Sequence, residues 1–209
     1  MKIILPKAEI VSPINGKTIL KHIEQCGRVC YKSEDKITDD SAERFVHNVI
    51  KRGHESVIEH FVVTVKFTVD RGVSHEIVRH RLASYSQEST RYCNYAKGGF
   101  GAEITVIKPA FFAEGTAGFE CWKRACEEAE YAYFNLLKFG CIPQEARSVL
   151  PNSLKTELYM TANLREWRHF LQLRTSQAAH PQMREVAIPL LKQMRDMIPV
   201  VVDDIEVTD

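Results

Sequence analysis

Cationic and hydroxyl side chains are concentrated in one fourteen-residue stretch, RHRLASYSQESTRY, which runs from Arg79 to Tyr92. Hydroxyls and exposed backbone N–H groups commonly hold phosphate, and an arginine adds a forked cation that can bind two oxygens of one anion. The stretch carries neither the Walker nor the Rossmann glycine pattern. Its spacing alone therefore leaves two interpretations open, a phosphate site and a solvated basic loop with turn-forming serines.

Charge and composition restrict the functions that the chain could have. Its 209 residues suit one domain, or one and a half, and are enough for a core. The hydrophobic fraction of 44% and the charged fraction of 26% are typical of a folded globular protein. Because 28 Lys and Arg residues face 27 Asp and Glu residues, the net charge is only +1, which argues against a nucleic-acid-binding protein. Any anion site in this chain must therefore be local.

The sequence shows no pattern typical of a secretory or membrane protein. In the N-terminal segment MKIILPKAEIVSP, a short apolar run is interrupted by Pro6 and Lys7, which is unlike a signal peptide. No apolar run approaches the roughly 20 residues of a membrane helix. We therefore predict a cytoplasmic protein with no membrane partner, whose six cysteines are reduced.

Histidines and cysteines occur at two spacings that could suggest a metal site. The histidines of HESVIEH (residues 54–60) are six apart, whereas a helical zinc-protease box needs them four apart. His22, Cys26 and Cys30 recur every four residues, but isoleucines share their helical stripe, so we predict thiols buried in a core face. Since the sequence also contains no CxxC pair, we predict no metal site.

Hydrophobic periodicity predicts helices that alternate with a few strands. The clearest strand is HFVVTVKFTV (residues 60–69), where apolar residues alternate with Thr and Lys. Shorter strands are predicted over residues 104–107 and 158–162, and helices over residues 16–30, 39–52, 72–80, 116–139, 143–150, 164–174 and 182–197. Pro189 should bend or split the last helix, and KGGFGAE (97–103) is typical of a hairpin turn. We predict one compact α+β domain over residues 1–209, with a small mixed or antiparallel sheet flanked by helices.

Four segments of the chain resemble those of one enzyme family. RHR at residues 79–81, followed after seven residues by Ser89, resembles the signature of the flavin-dependent thymidylate synthases. RGHESVIEH (52–60) is similar to the family's upstream segment, EARSVLP (145–151) to its downstream one, and NLREWRHFLQLR (163–174) to its late helix. The four occur in the family's order, and together they are far more specific than a single RHR tripeptide.

This resemblance implies a defined reaction. Enzymes of the family methylate uracil C5 of dUMP to give dTMP. Methylenetetrahydrofolate supplies the carbon, reduced FAD supplies the hydride, and NADPH reduces the flavin again. The resemblance also implies an α+β fold that assembles as a homotetramer, with active sites shared between subunits.

The resemblance further implies which residues contact the two ligands. The flavin positions are Ser56, Arg79, His80, Arg81, Gln87, Asn163, Leu164, Arg165 and His169. The dUMP positions are Glu76, Ile77, Val78, Arg79, Gln87, Glu88, Ser89, Thr90, Arg91, Arg147 and Arg174. FAD and dUMP are both phosphate anions, and arginine forks suit such ligands.

One pair of residues departs from a frequent form of the family's motif. Ser86 and Gln87 stand where many members have Asn and Glu. The Gln87 amide can still donate and accept hydrogen bonds, but it cannot carry the charge of a carboxylate. The resemblance therefore does not define the contacts of Gln87.

Among the positions that the resemblance assigns to dUMP, Arg174 has the chemistry of a catalytic residue. Uracil C5 attacks carbon only if negative charge builds up along N3, C4 and O4 of the ring. A guanidinium, whose pKa stays above about 12, cannot act as a base, but as a fixed planar cation it can stabilise that charge. The alternative is that Arg174 only complements the dipole of the helix that it ends.

Covalent catalysis by the protein is not predicted. Ser89 has no adjacent base that would make it a nucleophile. Cys93 is interpreted as a small residue that follows the motif. We therefore expect no covalent bond between either side chain and the uracil ring.

Several residues also have simpler interpretations. Asn163 could cap the following helix, His169 could be an interface histidine, and Arg147 and Arg165 could form surface ion pairs. Leu164 belongs to an apolar helical stripe, so we expect core packing and a flavin contact through its backbone at most.

Two other functions compete with the synthase interpretation. One is a nucleotide hydrolase that uses His80 as a general base, although the sequence offers no carboxylate or metal box at a workable spacing. The other is a nucleic-acid- or nucleotide-binding module without chemistry, for which the net charge of +1 provides little support.

Overall fold

The computed structural model describes residues 1–207, and these form six β-strands and eight α-helices. Residues 208 and 209, which the predicted domain includes, lie outside the described residues. Internal contacts divide the chain into two compact units. Unit 1 contains Met1–Lys7, Phe67–Arg79 and Ser86–Leu158, and unit 2 contains Ala8–Lys66, His80–Tyr85 and the chain from Tyr159 onward.

The strands form two small sheets. They are β1 (Lys2–Ile4), β2 (Lys7–Ile10), β3 (Val62–Asp70), β4 (Ala83–Gln87), β5 (Thr105–Ile107) and β6 (Lys155–Asn163). A two-stranded sheet pairs β1 with β5 in parallel, and a four-stranded sheet has the order β2-β3-β6-β4. Strands β3 and β6 run antiparallel, since the Thr64 hydroxyl bonds Thr161 while the Arg71 N–H donates to the Leu154 carbonyl.

The helices are α1 (Gly16–Arg28), α2 (Ser41–Lys51), α3 (Arg71–Ile77), α4 (Ala117–Lys138), α5 (Pro143–Ala146), α6 (Leu164–Arg174), α7 (Pro181–Met197) and α8 (Pro199–Val202). Local chemistry sets several of their ends. Asn15, Thr116 and Asn163 cap α1, α4 and α6 by accepting from a backbone N–H of the first turn. Gly140, at φ 94°, follows the end of α4, where a residue with a side chain would be strained.

The mixed α+β class and the strongest periodic elements are confirmed. The predicted strand over residues 60–69 is β3, and its alternating residues Val63, Val65, Phe67 and Val69 are fully buried. The predicted helix over residues 164–174 is α6, with the same limits. Both elements carry an unbroken apolar period, which is the signal that sequence patterns report best.

Three local predictions are wrong in whole or in part. Pro189 is predicted to bend or split the last helix; it does not split α7, which runs through it from Pro181 to Met197, and the bend stays a prediction. The segment at 97–103 contains a 3-10 turn and is not a hairpin, because the strands on either side of it belong to different sheets. The predicted burial of the Cys26 and Cys30 thiols is also not observed, since Cys26 of α1 is half-buried and Cys30, just beyond the end of α1, is exposed.

The core of unit 1 forms around the long helix α4. Tyr133 and Cys126 of this helix pack with Ile104, Val106 and other buried residues into one hydrophobic cluster. The Met1 ammonium group pairs with Glu130 at 3.1 Å, and a Glu130 oxygen accepts from the Ile104 N–H at 2.9 Å. These contacts attach the N-terminal strand and β5 to α4.

The core of unit 2 is built around α6. Trp167 and Phe170 are fully buried, and the Trp167 indole N–H donates to the Val63 carbonyl at 3.0 Å. Buried residues of α1 and α7 complete this core. In the described part of the chain, no helix is both long and apolar enough to cross a bilayer.

Candidate active site

Helix α6 presents different chemistry on different sides. Leu164, Trp167 and Leu171 are buried, whereas Arg165 and His169 are exposed. Residues three and four apart share a helical face, so Arg165 and His169 lie on one side with Gln172. The predicted core role of Leu164 agrees with its full burial, and its N–H donates to the Phe61 carbonyl.

A cavity of about 820 Å³ lies over the exposed face of α6, within unit 2. Three of the residues that the resemblance assigns to flavin line it, namely Asn163, Arg165 and His169. The Arg165 guanidinium is 2.6 Å from a Glu59 oxygen. That arginine is exposed, so this ion pair adds little stability and a ligand could displace it.

A second cleft of unit 2, of about 840 Å³, is lined by Ser56 and by Arg165. Its lining is strongly cationic, with the side chains Arg28, Lys36, Arg44, Arg52 and Arg165. The only carboxylate among its lining residues is Glu55, which also lines the first cavity. This balance of charge suits an anionic ligand.

His80 is held on both sides of its ring. Its Nδ1 lies 2.9 Å from a Glu166 carboxylate oxygen, and its Nε2 lies 3.1 Å from the Arg174 Nε. Because Arg174 can only donate, Nε2 must accept, and the single ring proton belongs on Nδ1 facing Glu166. His80 is therefore neutral in this arrangement.

The electrostatics of this position agree with a neutral imidazole. Burial lowers the pKa of His80, and Arg174 and His169 lower it further, whereas the hydrogen bond to Glu166 acts in the opposite direction. With both ring nitrogens engaged, His80 has no ring atom left to bond a flavin. Its contribution to a cofactor would come from its ring face or its backbone.

The surroundings of His80 are also ordered. The Tyr85 hydroxyl donates to the His80 carbonyl at 2.6 Å. Burial, followed by the charge of Glu166, raises the pKa of Tyr85 to about 12. The hydroxyl thus remains a proton donor at neutral pH and holds strand β4 against the His80 backbone.

Side chains of His80, Glu166 and His169 also satisfy a distance criterion for a metal site. Their ligand atoms lie within 4.8 Å of one another. The Arg174 guanidinium beside His80 Nε2 disfavours a second cation, and Nδ1 is already bonded to Glu166. The chemistry of this group fits a hydrogen-bonded chain better than a metal site, and the absence of a metal stays a prediction.

Glu166 is the member of this group that the sequence interpretation missed. A signal for it is present, because Glu166, Phe170 and Arg174 recur every four residues and so form one stripe of α6. His80 contacts all three, with its ring centre 4.8 Å from that of Phe170. Only the fold reveals which residue packs on that stripe.

In unit 1, the residues around Gln87 form a separate polar group. The Gln87 amide donates to the Ser74 hydroxyl at 3.0 Å and to the Thr156 hydroxyl at 3.2 Å. Both amide hydrogens are thus used to tie β4 to α3 and β6. A glutamate at this position could not donate these two hydrogen bonds. In Gln87, only the side-chain carbonyl oxygen is available for a ligand.

The residues that follow Gln87 are also engaged within unit 1. Glu88 pairs with Lys155 at 2.8 Å and accepts from the Tyr95 hydroxyl. The Arg147 guanidinium donates to the buried Thr90 hydroxyl at 3.3 Å. Of the predicted dUMP positions, Thr90 and Arg147 are thus brought together.

Other predicted dUMP positions differ in accessibility. The Ile77 side chain is fully buried, so a contact with substrate could come only from its backbone. Val78, Arg79 and Arg91 are exposed, and Glu76 and Ser89 are half-buried. On the flavin side, Arg81 and Ser56 are exposed as well.

The two predicted ligand sets fall into different units. The flavin positions belong to unit 2, except for Arg79 and Gln87. The dUMP positions belong to unit 1, except for Arg174. Arg174 is thus the dUMP position that the structure places among flavin positions, through its contact with His80.

The potential nucleophiles remain inactive in this arrangement. Burial and the charge of Glu88 raise the pKa of the Cys93 thiol, which disfavours the reactive thiolate. The Ser89 oxygen accepts from the Arg91 N–H at 3.3 Å. Neither contact is one that would activate a nucleophile.

Known proteins with similar sequences identify the family. Residues 16–200 match the family described as thymidylate synthase complementing protein. A flavin-dependent thymidylate synthase of Corynebacterium aurimucosum is 34% identical over 204 residues, which cover 89% of this chain and 80% of that protein. The chain belongs to the flavin-dependent thymidylate synthase family.

Other members of the family, and one solved structure, agree with this assignment. The flavin-dependent thymidylate synthase of Pyrococcus furiosus is 32% identical over 185 residues, covering 87% of this chain and 74% of that protein. The crystal structure of the UMP/dUMP methylase PolB from Streptomyces cacaoi with 5-Br dUMP superposes with a TM-score of 0.78. It is 26% identical and covers 97% of this chain and 96% of its own.

Proposed function

We propose that the protein methylates dUMP at uracil C5 to give dTMP, with methylenetetrahydrofolate as carbon donor and NADPH as the final reductant. The observation that carries this proposal is the family match over residues 16–200, which includes every residue of the four motif segments. The PolB structure, a UMP/dUMP methylase with a bound dUMP analogue, supports a uridine nucleotide as substrate.

The residues of unit 2 fit an FAD cofactor. The cationic cleft at Ser56 suits the pyrophosphate of a dinucleotide, and the adjoining cavity at Asn163 and His169 offers polar groups for a ring system. Since the Asn163 oxygen already caps α6, its amide N–H groups are what it would offer to the cofactor. When bound and reduced, FAD would supply the hydride that completes the new methyl group.

Arg174 is proposed to activate the uracil ring. Negative charge that builds up on N3–C4–O4 makes C5 nucleophilic. C5 then forms a carbon–carbon bond to the methylene carbon as one bond from that carbon to a folate nitrogen breaks, and the C5 proton leaves afterwards. The planar Arg174 cation, half-buried at the end of α6, would stabilise that charge. Its Nε is held by His80, so its orientation is set before substrate arrives.

The alternative of a nucleotide hydrolase with His80 as general base finds little support. A general base needs a free lone pair within reach of a substrate proton. The Nε2 lone pair of His80 accepts from Arg174, and Nδ1 carries the proton that faces Glu166.

The remaining parts of the proposal concern the domain, its assembly and its location. We propose that residues 1–209 act as one synthase domain, and the family match extends over segments of both units. The homotetramer with shared sites is proposed on the resemblance, and the cytoplasmic location stays a prediction. Sizing chromatography combined with an activity assay tests the homotetramer, because a fully active monomer would contradict it.

The decisive experiment is a spectrum followed by a turnover assay. The purified protein should be yellow, release FAD on denaturation, and bleach when NADPH is added anaerobically. With dUMP and methylenetetrahydrofolate present, it should form dTMP. A colourless protein that does not bind added FAD would overturn the proposal, and hydrolysis of a nucleotide in its place would favour the alternative.

A further inference from the structure

We propose that Glu166 is a positioning residue, which sets the orientation of Arg174 by fixing the tautomer of His80. This inference rests on the proposed role of Arg174 in the reaction. Nothing in the motif resemblance assigns a role to Glu166, which lies on α6 between the expected flavin positions Arg165 and His169.

The three side chains form a continuous chain of hydrogen bonds. The Glu166 carboxylate accepts from His80 Nδ1–H at 2.9 Å, and His80 Nε2 accepts from Arg174 Nε–H at 3.1 Å. Each bond has the geometry of a normal hydrogen bond. The carboxylate therefore acts on the guanidinium through an imidazole ring.

The tautomer of His80 decides whether the second bond can exist. With the proton on Nδ1, Nε2 presents a lone pair to the Arg174 donor. With the proton on Nε2, two N–H groups would face each other, and the guanidinium would have to move away. A carboxylate at Nδ1 selects the first state, in the same way that outer-shell carboxylates orient histidines that bind metals.

Burial makes this selection strict. His80 is 4% exposed and Glu166 is 7% exposed, so water cannot easily replace either partner. The rings of His169 and Phe170 flank His80 at 5.5 and 4.8 Å between centres. A buried carboxylate that lost its hydrogen bond would be costly, which keeps the chain in one arrangement.

The main-chain position of Glu166 points in the same direction. Glu166 is the third residue of α6, and its N–H donates to the capping oxygen of Asn163. A glutamate at this position commonly turns back toward the N-cap backbone N–H. Here the carboxylate contacts His80 instead, which links the start of α6 to Arg174 at its end.

The experiment compares Glu166→Leu and Glu166→Gln with wild type in the FAD-loaded enzyme. Nitrogen chemical shifts of ¹⁵N-labelled histidine report the tautomer of His80 without any turnover. We expect the Nδ1–H form in wild type and the Nε2–H form in Glu166→Leu. We expect kcat for dTMP to fall by about 10–100-fold in Glu166→Leu, with FAD content and the rate of flavin reduction by NADPH unchanged.

Glu166→Gln provides a second test of the inference if Glu166→Leu does not fold. The amide oxygen of Gln can still accept from Nδ1–H, but as a neutral acceptor. We expect the Nδ1–H tautomer to persist with a weakened hydrogen bond, and kcat to fall by less than about tenfold. Glu130→Leu, which removes a partly buried carboxylate of unit 1, is the matched control and should change neither the His80 signals nor kcat.

Several results would overturn the inference. They are an unchanged His80 tautomer in folded Glu166→Leu, wild-type kcat in that variant, loss of FAD as its main defect, or a Glu166→Gln enzyme identical to wild type. Failure of the proposed function would look different, because wild-type protein itself would then lack flavin or form no dTMP. The tautomer signals would still decide whether Glu166 sets the state of His80.

Discussion

Two buried charge clusters lie on opposite sides of helix α6, and their construction differs. Glu166 and Arg168 are two residues apart, about 200° around the helix. On one side, Glu166 holds His80, which holds the half-buried Arg174. On the other side, Arg168 is 3% exposed and is enclosed by acceptors of unit 2.

The Arg168 guanidinium uses four of its five N–H donors. The guanidinium binds Asp204 through two nitrogens at 2.6 and 2.8 Å, Glu55 at 3.1 Å, and the Val201 carbonyl at 2.6 Å. These acceptors come from the C-terminal segment and from the turn before β3. A cation with this many bonds is suited to stabilise a fold.

The Glu166 cluster leaves its cation more accessible. Its cation, Arg174, is the last member of the hydrogen-bonded chain that runs from Glu166 through the neutral His80, and it is only half-buried. From this difference we propose that the Arg168 cluster serves stability and the Glu166 cluster serves the reaction. Substitutions in the two clusters test that distinction.

Removing the Arg174 cation should have the largest effect on turnover. We expect Arg174→Ala to fold, bind FAD and accept electrons from NADPH, but to lose dTMP formation by a factor of about 10²–10³. Arg174→Lys should recover little, since an ammonium cannot form two parallel hydrogen bonds to a ring edge. Single-turnover assays at saturating dUMP measure the loss, with the exposed Arg124→Ala as control. Near-normal turnover in Arg174→Ala would refute the catalytic role.

Removing the Arg168 cation should lower the stability of the fold and leave turnover nearly unchanged. Glu55 and Asp204 would lose their buried partner, but their side chains are 26% and 55% exposed and water would solvate them in part. We therefore expect Arg168→Ala to lower the free energy of unfolding by about 3 kcal/mol. Urea titration measures this, and kcat per bound flavin should stay near that of wild type. A stable variant with low kcat would reverse the assigned roles of the two clusters.

The same cluster should contribute to the pH dependence of stability. The hydrogen bond from Arg168 holds the pKa of Asp204 below its usual value. A depressed pKa in the folded state means stability that is present above the unfolded-state pKa and is lost as pH falls through the folded one. We expect the Tm of Asp204→Asn to decline less than that of wild type between pH 5 and pH 3, values chosen to bracket the usual pKa of about 4. Equal declines would indicate that the ion pair does not persist in solution.

The smallest effect is expected at Cys93. Its thiol pKa is raised by burial and by Glu88, so the reactive thiolate is scarce. Cys93→Ala should keep measurable dTMP formation, within about threefold of wild type, as should Cys30→Ala at an exposed site. Isolation of a covalent adduct between dUMP and Cys93 would contradict this.

Some features of the fold and site could be predicted from local patterns alone. The limits of α6 follow from its cap at Asn163 and its apolar period, and the buried alternation of β3 follows from its β-branched residues. Strand β4 was not predicted, because ASYSQ is polar and resembles a loop. It is a strand because it pairs, at the edge of its sheet, with β6, which lies far later in the sequence.

The motifs and their order determined the family, because each is a local string of residue types that does not depend on the fold for its recognition. The segment RHR, seven residues and Ser could be found without coordinates. Local patterns also determined the α+β class, since the apolar periods of helices and strands can be read from residues that are close in sequence.

Only the tertiary structure decided how these residues work together. His80 and Glu166 are 86 positions apart, and Arg168 and Asp204 are 36 apart, so no local pattern pairs them. Hydrogen bonds act over about 3 Å, and a pKa depends on burial as well as on neighbouring charge. Both therefore depend on which distant segments the folded chain brings into contact.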